Sequence, residues 1–439
     1  MTIVCGVFLC MLLALIGIRT EKKLFNPVTV FCGLWCVIIF LSSLQLYRLY
    51  LAEAKTYRYI LFGICMYFIG YYFIKLILKN KKIVVRKYYN MPKQKHYELR
   101  YKAIYIMLIF SILFFIKDLA SIISKIGMNH NLSVIQNLIQ GDDDVFVRSS
   151  IENALILLFV NPFTWICAPI TIIDFWMGKR DKKLLIMTIM LVVLKTLTTG
   201  GRAMFIQLAF YFVCVFTLIN SKRSTKFSQQ VRATVKKNKK IFIISGIICI
   251  CILYILTYSR AGQAAIKTIY YDFAMQPYMF QIWCKVADTT DIGFGVASLN
   301  GFLFPINYIL RNTIQISLPQ SYHTIYELIE STDTQWQWIG NGVSANAYTS
   351  AFWFFYVDGR IMGIAIISFI YGIYSRIIFK NMETNPTQRN MAIYCMVIIG
   401  VFYTFGRFQF AQYNYALGII YLGLFAYKKT NINLKGIRT

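Results

Sequence analysis

Long apolar runs alternate with short polar connections along most of the chain, and the exception is the stretch from 259 to 360. The runs lack the period-two alternation of strands and therefore predict helices. A helix needs about 20 apolar residues to cross about 30 Å of hydrocarbon. The pattern predicts an all-α integral membrane helical bundle of about eleven transmembrane helices. The predicted spans are 2–18, 28–46, 59–78, 103–121, 154–177, 184–199, 203–220, 241–258, 361–379, 391–408 and 413–427.

Composition agrees with this class, since 58% of the residues are hydrophobic and 15% are charged. The net charge of +28 comes from lysines and arginines that are concentrated in every second connection. Thirty lie on one side of the predicted membrane and 11 on the other. By the positive-inside rule the amino terminus is outside and the carboxyl terminus is cytoplasmic. The basic connections are 19–27, 79–102, 178–183, 221–240, 380–390 and the tail 428–439.

These assignments divide the chain into three parts. Residues 1–258 are expected to hold helices 1 to 8, residues 259–360 a long external loop, and residues 361–439 helices 9 to 11 with a basic cytoplasmic tail. The loop is apolar in places, so we expect it to form short helices over the bundle. The basic connections already have a topological role, with attraction to anionic lipids as a second one. Nucleic acid is therefore not an expected partner.

Residue types for metal or nucleotide chemistry are sparse. The three histidines, His96, His130 and His323, do not stand at the spacing of a helical metal pair. The acidic run 142–144 is more typical of a solvated turn than of a cation site. Ten of the 11 cysteines lie in apolar runs, and nucleotide-binding glycine motifs are absent from the sequence. We expect no metal and no other cofactor.

Arginines at the predicted outer face indicate anion binding. Arg202 follows Gly200 and Gly201 between two apolar runs, near the start of a helix expected at about Ala203. A guanidinium, free backbone donors and the positive end of a helix dipole suit a pyrophosphate. The alternative is a tight turn with an interfacial arginine.

Three further arginines, Arg260, Arg311 and Arg360, lie in the long loop or at its boundaries. Arginines on the outer face oppose the positive-inside preference and call for an explanation. Bidentate contacts to a diphosphate supply one. The alternative is that each anchors the end of a span.

Two segments resemble a known family. The turn Thr198-Thr199-Gly200-Gly201-Arg202 is similar to the small-residue-Gly-Ser-Arg turn of Wzy-type O-antigen and capsular repeat-unit polymerases. The family also has an Asn, a Tyr-Thr pair and an Asp-Phe-Gly before a late span, followed by a further Gly. The matching segments here are Asn346-Ala347-Tyr348-Thr349-Ser350-Ala351-Phe352, Phe355-Tyr356-Val357-Asp358 and Gly363. Gly359 and Arg360 stand where Phe-Gly is usual.

The resemblance implies a glycosyltransferase of the bacterial cytoplasmic membrane that uses no nucleotide sugar. It would transfer a glycan from undecaprenyl pyrophosphate to another lipid-linked repeat unit, which builds O-antigen or capsular polysaccharide. Its partners would be lipid-linked glycans, membrane lipids and a chain-length regulator protein. The arginines would stabilise the leaving diphosphate. Asp272, His323 and Asp358 are the candidate bases, and histidine is the side-chain type that titrates nearest neutral pH.

Trp283, Trp336 and Trp338 are candidates for stacking on sugar rings, with the interfacial aromatic belt as the alternative. Two rival functions stay open. An O-antigen ligase has a histidine followed by Asn, Ser or Gln, whereas His323 is followed by Thr324. A transporter or lipid flippase would explain ionisable residues in or near apolar runs, which are Lys117, Asp118, Asp174 and Lys195.

Overall fold

The computed structural model describes residues 2–85, 96–127, 134–135, 146, 148–220, 251, 254–255, 257–258 and 264–430. The described residues form an all-α fold that is 80% helical. Five helices in this part of the chain are long and apolar enough to cross a membrane, as expected for a helical membrane protein. These five are Thr2–Glu21, Ala54–Ile74, Tyr101–Lys125, Ser150–Met177 and Ala351–Thr384.

A helix overlaps each predicted span except 241–258, which lies largely outside the described residues. The helices that overlap the first seven spans are α1 (Thr2–Glu21), α2 (Pro27–Ser43), α3 (Ala54–Val85), α4 (Tyr101–Ile126), α5 (Ser150–Met177), α6 (Lys182–Thr199) and α7 (Ala203–Asn220). Within α5, Ile156–Val160 form a π-helical turn.

The segment predicted as a long loop is mostly helical. It contains α8 (Ala265–Ala274), α9 (Gln276–Ala287), α10 (Val296–Ile309) and α11 (Gln320–Thr334). A hairpin follows, made of β2 (Gln337–Gly340) and β3 (Val343–Ala345). The next helices are α12 (Ala351–Thr384), α13 (Gln388–Phe402) and α14 (Tyr413–Leu424).

Helix α12 begins ten residues before the predicted span 361–379. Helix α12 begins at Ala351 because residues 352–357 form an apolar run that is buried. The charged residues Asp358 and Arg360 marked the boundary in the sequence, yet both lie inside α12, where Gly359 and Arg360 leave helical geometry.

The described chain divides into two compact units. The first unit comprises Met1–Phe73, Ile247–Arg376 and Val397–Leu417. The second unit comprises Ile74–Gly246, Ile377–Met396 and Gly418–Thr439.

In the first unit, α3 and α12 are in close contact through glycines. A Cβ atom added to Gly70 would lie 2.1 Å from the carbonyl oxygen of Phe369, and one added to Gly372 would lie 2.1 Å from that of Tyr67. Small residues allow such approach between helices in a membrane. A buried ion pair joins α12 to α1, with 2.7 Å between Arg376 Nη1 and Glu21 Oε2.

Residues 47–58 contact residues 264–350 in the first unit, and we call the latter segment the folded loop. The amide of Tyr50 donates to the carbonyl of Ile339 over 2.9 Å, and Lys285 Nζ lies 3.1 Å from Glu53 Oε1. Segments in direct contact lie on one side of any membrane that the chain crosses. The charge pattern independently assigns both segments to the outside.

In the second unit, a two-stranded ribbon joins β1 (His96–Leu99) to β4 (Tyr427–Thr430). The strands come from two basic connections that the charge pattern assigns to the cytoplasmic side. Helix α4 packs against α6 in the same unit. The buried carboxylate of Asp174 accepts the amides of Lys179 and Asp181 and the hydroxyl of Tyr101, so it organises the turn before α6.

Candidate functional site

Asp358 caps a neighbouring helix. Its Oδ1 accepts the amide of Ala297 over 2.9 Å and its Oδ2 accepts that of Ser298 over 2.8 Å. Both amides belong to the first turn of α10, where backbone donors have no partner within the helix. The carboxylate is buried, and its negative charge also suits the positive end of the helix dipole. These contacts are those of a structural cap.

Arg360 makes the complementary contact at the end of α9. Its Nη2 donates to the carbonyl oxygens of Ala287 and Thr290, over 2.7 and 2.6 Å. Its Nε lies 3.7 Å from Oδ1 of Asp288. Residues on either side of Gly359 thus hold the two ends of the linker 288–295. These contacts give Arg360 a structural role where the resembled family has Phe-Gly.

The remaining loop candidates lie on other elements of the first unit. Asp272 is half-buried on α8, and its carbonyl oxygen accepts the side-chain amide of Gln276. His323 is half-buried on α11. Arg311 is exposed in the π-helical turn Leu310–Ile314. Arg260 lies outside the described residues, as do His130 and the acidic run 142–144.

Aromatic rings from three helices gather near Arg311, and Tyr322 connects them to His323. Phe304 of α10 stacks on Tyr326 of α11, with 5.7 Å between centroids and 11° between planes, and Tyr413 lies 5.2 Å from Phe304. Burial raises the pKa of Tyr326 to about 12, although the nearby Arg311 opposes that rise. The rings are half-exposed and offer apolar faces of the kind that sugars contact. Sequence reasoning missed this cluster because its members come from three separate helices.

The three predicted tryptophans differ in exposure. Trp283 is fully buried, and its backbone oxygen accepts Nε1 of Trp353 over 3.0 Å, so it is not positioned to stack on a sugar. Trp336 precedes β2 and Trp338 lies within it; they are 58% and 65% exposed and stay candidates for stacking on a sugar.

The segment 346–352 has an unusual backbone. Ala347 and Ser350 both have φ of 70°, which non-glycine residues adopt only when their surroundings hold them there. Nε of Arg407 donates to the carbonyl of Ala347 over 3.1 Å, and Nη1 of Arg407 donates to Asp333 over 2.7 Å. Sequence reasoning missed Arg407 because it falls within the predicted span 391–408. The signal was a glycine and an arginine, at 406 and 407, that interrupt an apolar run.

In the second unit, the turn that carries Arg202 has the predicted form. Helix α6 ends at Thr199, and Gly200 has φ of 61°, a left-handed conformation that glycine adopts without strain. Helix α7 begins at Ala203, and the carbonyl oxygen of Arg202 accepts the amide of Ile206 over 3.1 Å. Arg202 therefore precedes the first turn of α7, at the positive end of its dipole.

Further polar side chains lie close to this turn along α6. Nζ of Lys195 donates to Oδ1 of Asn161 over 3.1 Å and lies 4.6 Å from the ring centroid of Phe115. Nη2 of Arg148 lies 2.6 Å from Oδ2 of Asp118. The sequence marked Lys195 and Asp118 as ionisable residues in apolar runs. It gave no signal for Arg148, which lies in a polar connection.

The described part of the chain holds no group of three or more histidine, cysteine or acidic side chains that could bind a metal ion. Comparison with protein-family models, with curated proteins and with solved structures finds no match to this chain. The functional assignment therefore depends on the residues themselves.

Proposed function

We propose that the chain is a polymerase of lipid-linked glycans in the bacterial cytoplasmic membrane. It crosses the membrane about eleven times, with the amino terminus outside and the carboxyl terminus in the cytoplasm. It joins undecaprenyl-pyrophosphate-linked repeat units at the outer face, producing O-antigen or capsular polysaccharide. The resemblance of the turn 198–202 and of the segment 346–352 supports this family.

The position of Arg202 is the observation that carries the proposal. It stands two residues after the left-handed Gly200 and directly before the first turn of α7. Backbone donors, the helix dipole and a guanidinium therefore meet at one point of the second unit. A diphosphate carries the charge and oxygen atoms that this combination binds best.

The reaction itself is a displacement at an anomeric carbon. A hydroxyl of the acceptor's terminal sugar attacks that carbon, and the bond from the carbon to the diphosphate oxygen breaks. The hydroxyl proton passes to a base, and undecaprenyl diphosphate leaves with both bonding electrons. Arginine contacts stabilise the charge that grows on this leaving group.

Within the folded loop, His323 and Asp272 are the better candidates for the base. Both oxygens of Asp358 already accept backbone amides of α10, so that carboxylate is committed to a structural contact. The ring of His323 lies 6.2 Å from that of Tyr322, which stacks on Tyr326 of the aromatic cluster, and apolar ring faces suit a sugar. Arg311 would contact phosphate from the same surface.

The direct test uses purified protein in detergent with a synthetic undecaprenyl-pyrophosphate-linked repeat unit. We expect a ladder of longer lipid-linked glycans on electrophoresis. His323→Gln should stop elongation at an unchanged protein level, whereas Lys125→Gln, on an exposed residue, should not. If the parent protein leaves the repeat unit unchanged and a known polymerase extends it, the proposal is wrong.

A lipid flippase is the second candidate, favoured by Asp118 and Lys195 within α4 and α6. It predicts movement of a fluorescent lipid-linked sugar across proteoliposomes without elongation. A ligase-like transferase predicts instead that the glycan reaches an acceptor other than a second lipid-linked unit.

A further inference from the structure

Four polar side chains from separate segments meet inside the second unit. We call Asp118, Arg148, Asn161 and Lys195 the lysine cluster. Arg148 pairs with Asp118, and Lys195 donates to Asn161. Asp118 and Arg148 both act electrostatically on Lys195, so the two pairs form one group.

A helical irregularity places Asn161 in this group. The π-helical turn Ile156–Val160 ends directly before it, within the long helix α5. A π-helical turn inserts one extra residue and changes the direction of the side chains that follow, and such turns are frequent at functional sites. The side-chain oxygen of Asn161 then accepts a hydrogen bond from the Lys195 ammonium.

The charges of the lysine cluster do not balance in the described part of the chain. Lys195 and Arg148 contribute two positive charges, and Asp118 contributes one negative charge. Asp118 is 4% exposed, and the two cations are half-buried. Excess charge in such surroundings is costly unless an opposite charge joins it. The neighbouring Lys117 pairs with Glu152, which also acts electrostatically on Arg148, and this pair adds no net charge.

The hydrogen-bond donors are also in excess. The Lys195 ammonium has three N–H groups, and the hydrogen bond to Asn161 uses one of them. Nε of Arg148 is buried and has no acceptor among the described residues. A ligand that complements the cluster therefore brings negative charge and several acceptor oxygens.

We propose that the lysine cluster is a diphosphate-binding site, with Lys195 and Arg148 as its ligands and Asp118 as the counter-charge when the site is empty. The inference rests on the proposed function for the source of that diphosphate, which is the head group of the lipid carrier. The location agrees with it, because Lys195 stands one turn before Thr199, whose hydroxyl donates to the carbonyl of Lys195 over 2.7 Å. Arg202 follows on the other side of the same turn.

Calorimetric titration of the purified protein tests this site, with undecaprenyl diphosphate in detergent micelles as one probe and inorganic pyrophosphate as the other. Lys195→Met keeps the length of the side chain and removes its charge, so we expect about 10- to 100-fold weaker binding. Lys117→Met is the matched control, because Lys117 is next to Asp118 in sequence but pairs with Glu152. It should bind like the parent protein.

Asp118→Asn should change the binding affinity in the opposite direction. It removes the negative charge that competes with the ligand, so a folded variant should bind pyrophosphate more tightly than the parent protein. Equal or weaker binding by that variant, at an unchanged melting temperature, contradicts the site. Where Asp118→Asn does not fold, the comparison of Lys195→Met with Lys117→Met decides alone.

The two probes separate the possible sources of the ligand. If Lys195→Met binds both probes more weakly, the cluster binds the diphosphate group itself. If it binds only undecaprenyl diphosphate more weakly, the cluster binds the diphosphate only as the head group of the lipid. Binding of both probes at parental strength overturns the site, even where the parent protein makes polymer. If Lys195→Met weakens binding but the parent protein makes no polymer, the binding site stands and the proposed polymerase function is wrong.

Discussion

At the scale of single residues, the contacts of Asp358 identify it as a helix cap, whereas its sequence context was equally compatible with a catalytic base. Its carboxylate accepts two amides that lie 61 and 60 residues earlier in the chain. An acid before an apolar run is equally typical of a base and of a helix cap, and only the packing of α10 against α12 distinguishes them. Arg202 differs, because its turn and its helix are local, so the sequence predicted its position.

Asp358→Ala should lower stability rather than only the rate of reaction. The change leaves two amides at the buried start of α10 without an acceptor, which costs about 2 kcal/mol or more in the free energy of unfolding. Thermal unfolding in detergent measures this, and Asp291→Ala in the same linker is the control because Asp291 is exposed. If Asp358→Ala melts at the same temperature as the parent protein, Asp358 does not stabilise α10 as a cap.

Arg202→Lys should keep the positive charge and lose the planar fork that matches two phosphate oxygens. We expect a large loss of polymerisation, and a larger one for Arg202→Ala. Removal of one donor to a developing anion slows a reaction on the order of 10² to 10³-fold. The rate of ladder formation at equal protein level measures both variants. Long polymer from Arg202→Ala would make Arg202 a turn residue only.

At the scale of elements, apolar runs located ten of the helices because burial in lipid and burial in protein select the same residues. The start of α12 was misplaced for a physical reason. Asp358 and Arg360 look like a polar boundary, but Asp358 accepts two amides from the first turn of α10 and Arg360 donates to the carbonyl oxygens of Ala287 and Thr290. The folded loop was harder to predict in detail, since its short helices pack through contacts between distant segments such as Phe304 and Tyr413.

The close contact between α3 and α12 predicts that Gly372→Ala is destabilising, whereas the same change at Gly33, outside this contact, is not. A methyl group on Gly372 would meet the carbonyl oxygen of Tyr67 at 2.1 Å, so Gly372→Ala should force the helices apart and destabilise the protein by about 1–3 kcal/mol. Gly33 on α2 has no atom within 4 Å of an added Cβ. Gly33→Ala should be neutral or stabilising, because alanine favours helices. Melting temperatures in detergent compare the two, and equal values would mean that α3 and α12 do not pack this closely.

At the scale of the whole molecule, pairings between distant segments constrain the path of the chain across a membrane. The ribbon of β1 and β4 requires an even number of crossings between residues 99 and 427. The contacts of residues 47–58 with the folded loop require the same for the path between Glu53 and Lys285. The predicted map has eight spans between β1 and β4 and six between Glu53 and Lys285, so both counts are even. Both counts include 241–258, which lies largely outside the described residues.

Reporter fusions test the resulting orientation. A reporter placed after Arg180 lies in a basic connection and should report the cytoplasm, whereas one placed after Asp291 lies in the folded loop and should report the outside. The expectation follows from the 30 lysines and arginines on one side against 11 on the other. Alkaline phosphatase is active outside and green fluorescent protein in the cytoplasm, so each site gives one positive and one negative signal. The same compartment for both sites would overturn the predicted orientation, and a cytoplasmic signal after Asp291 would also place the folded loop, with His323, on the side opposite to the proposed reaction.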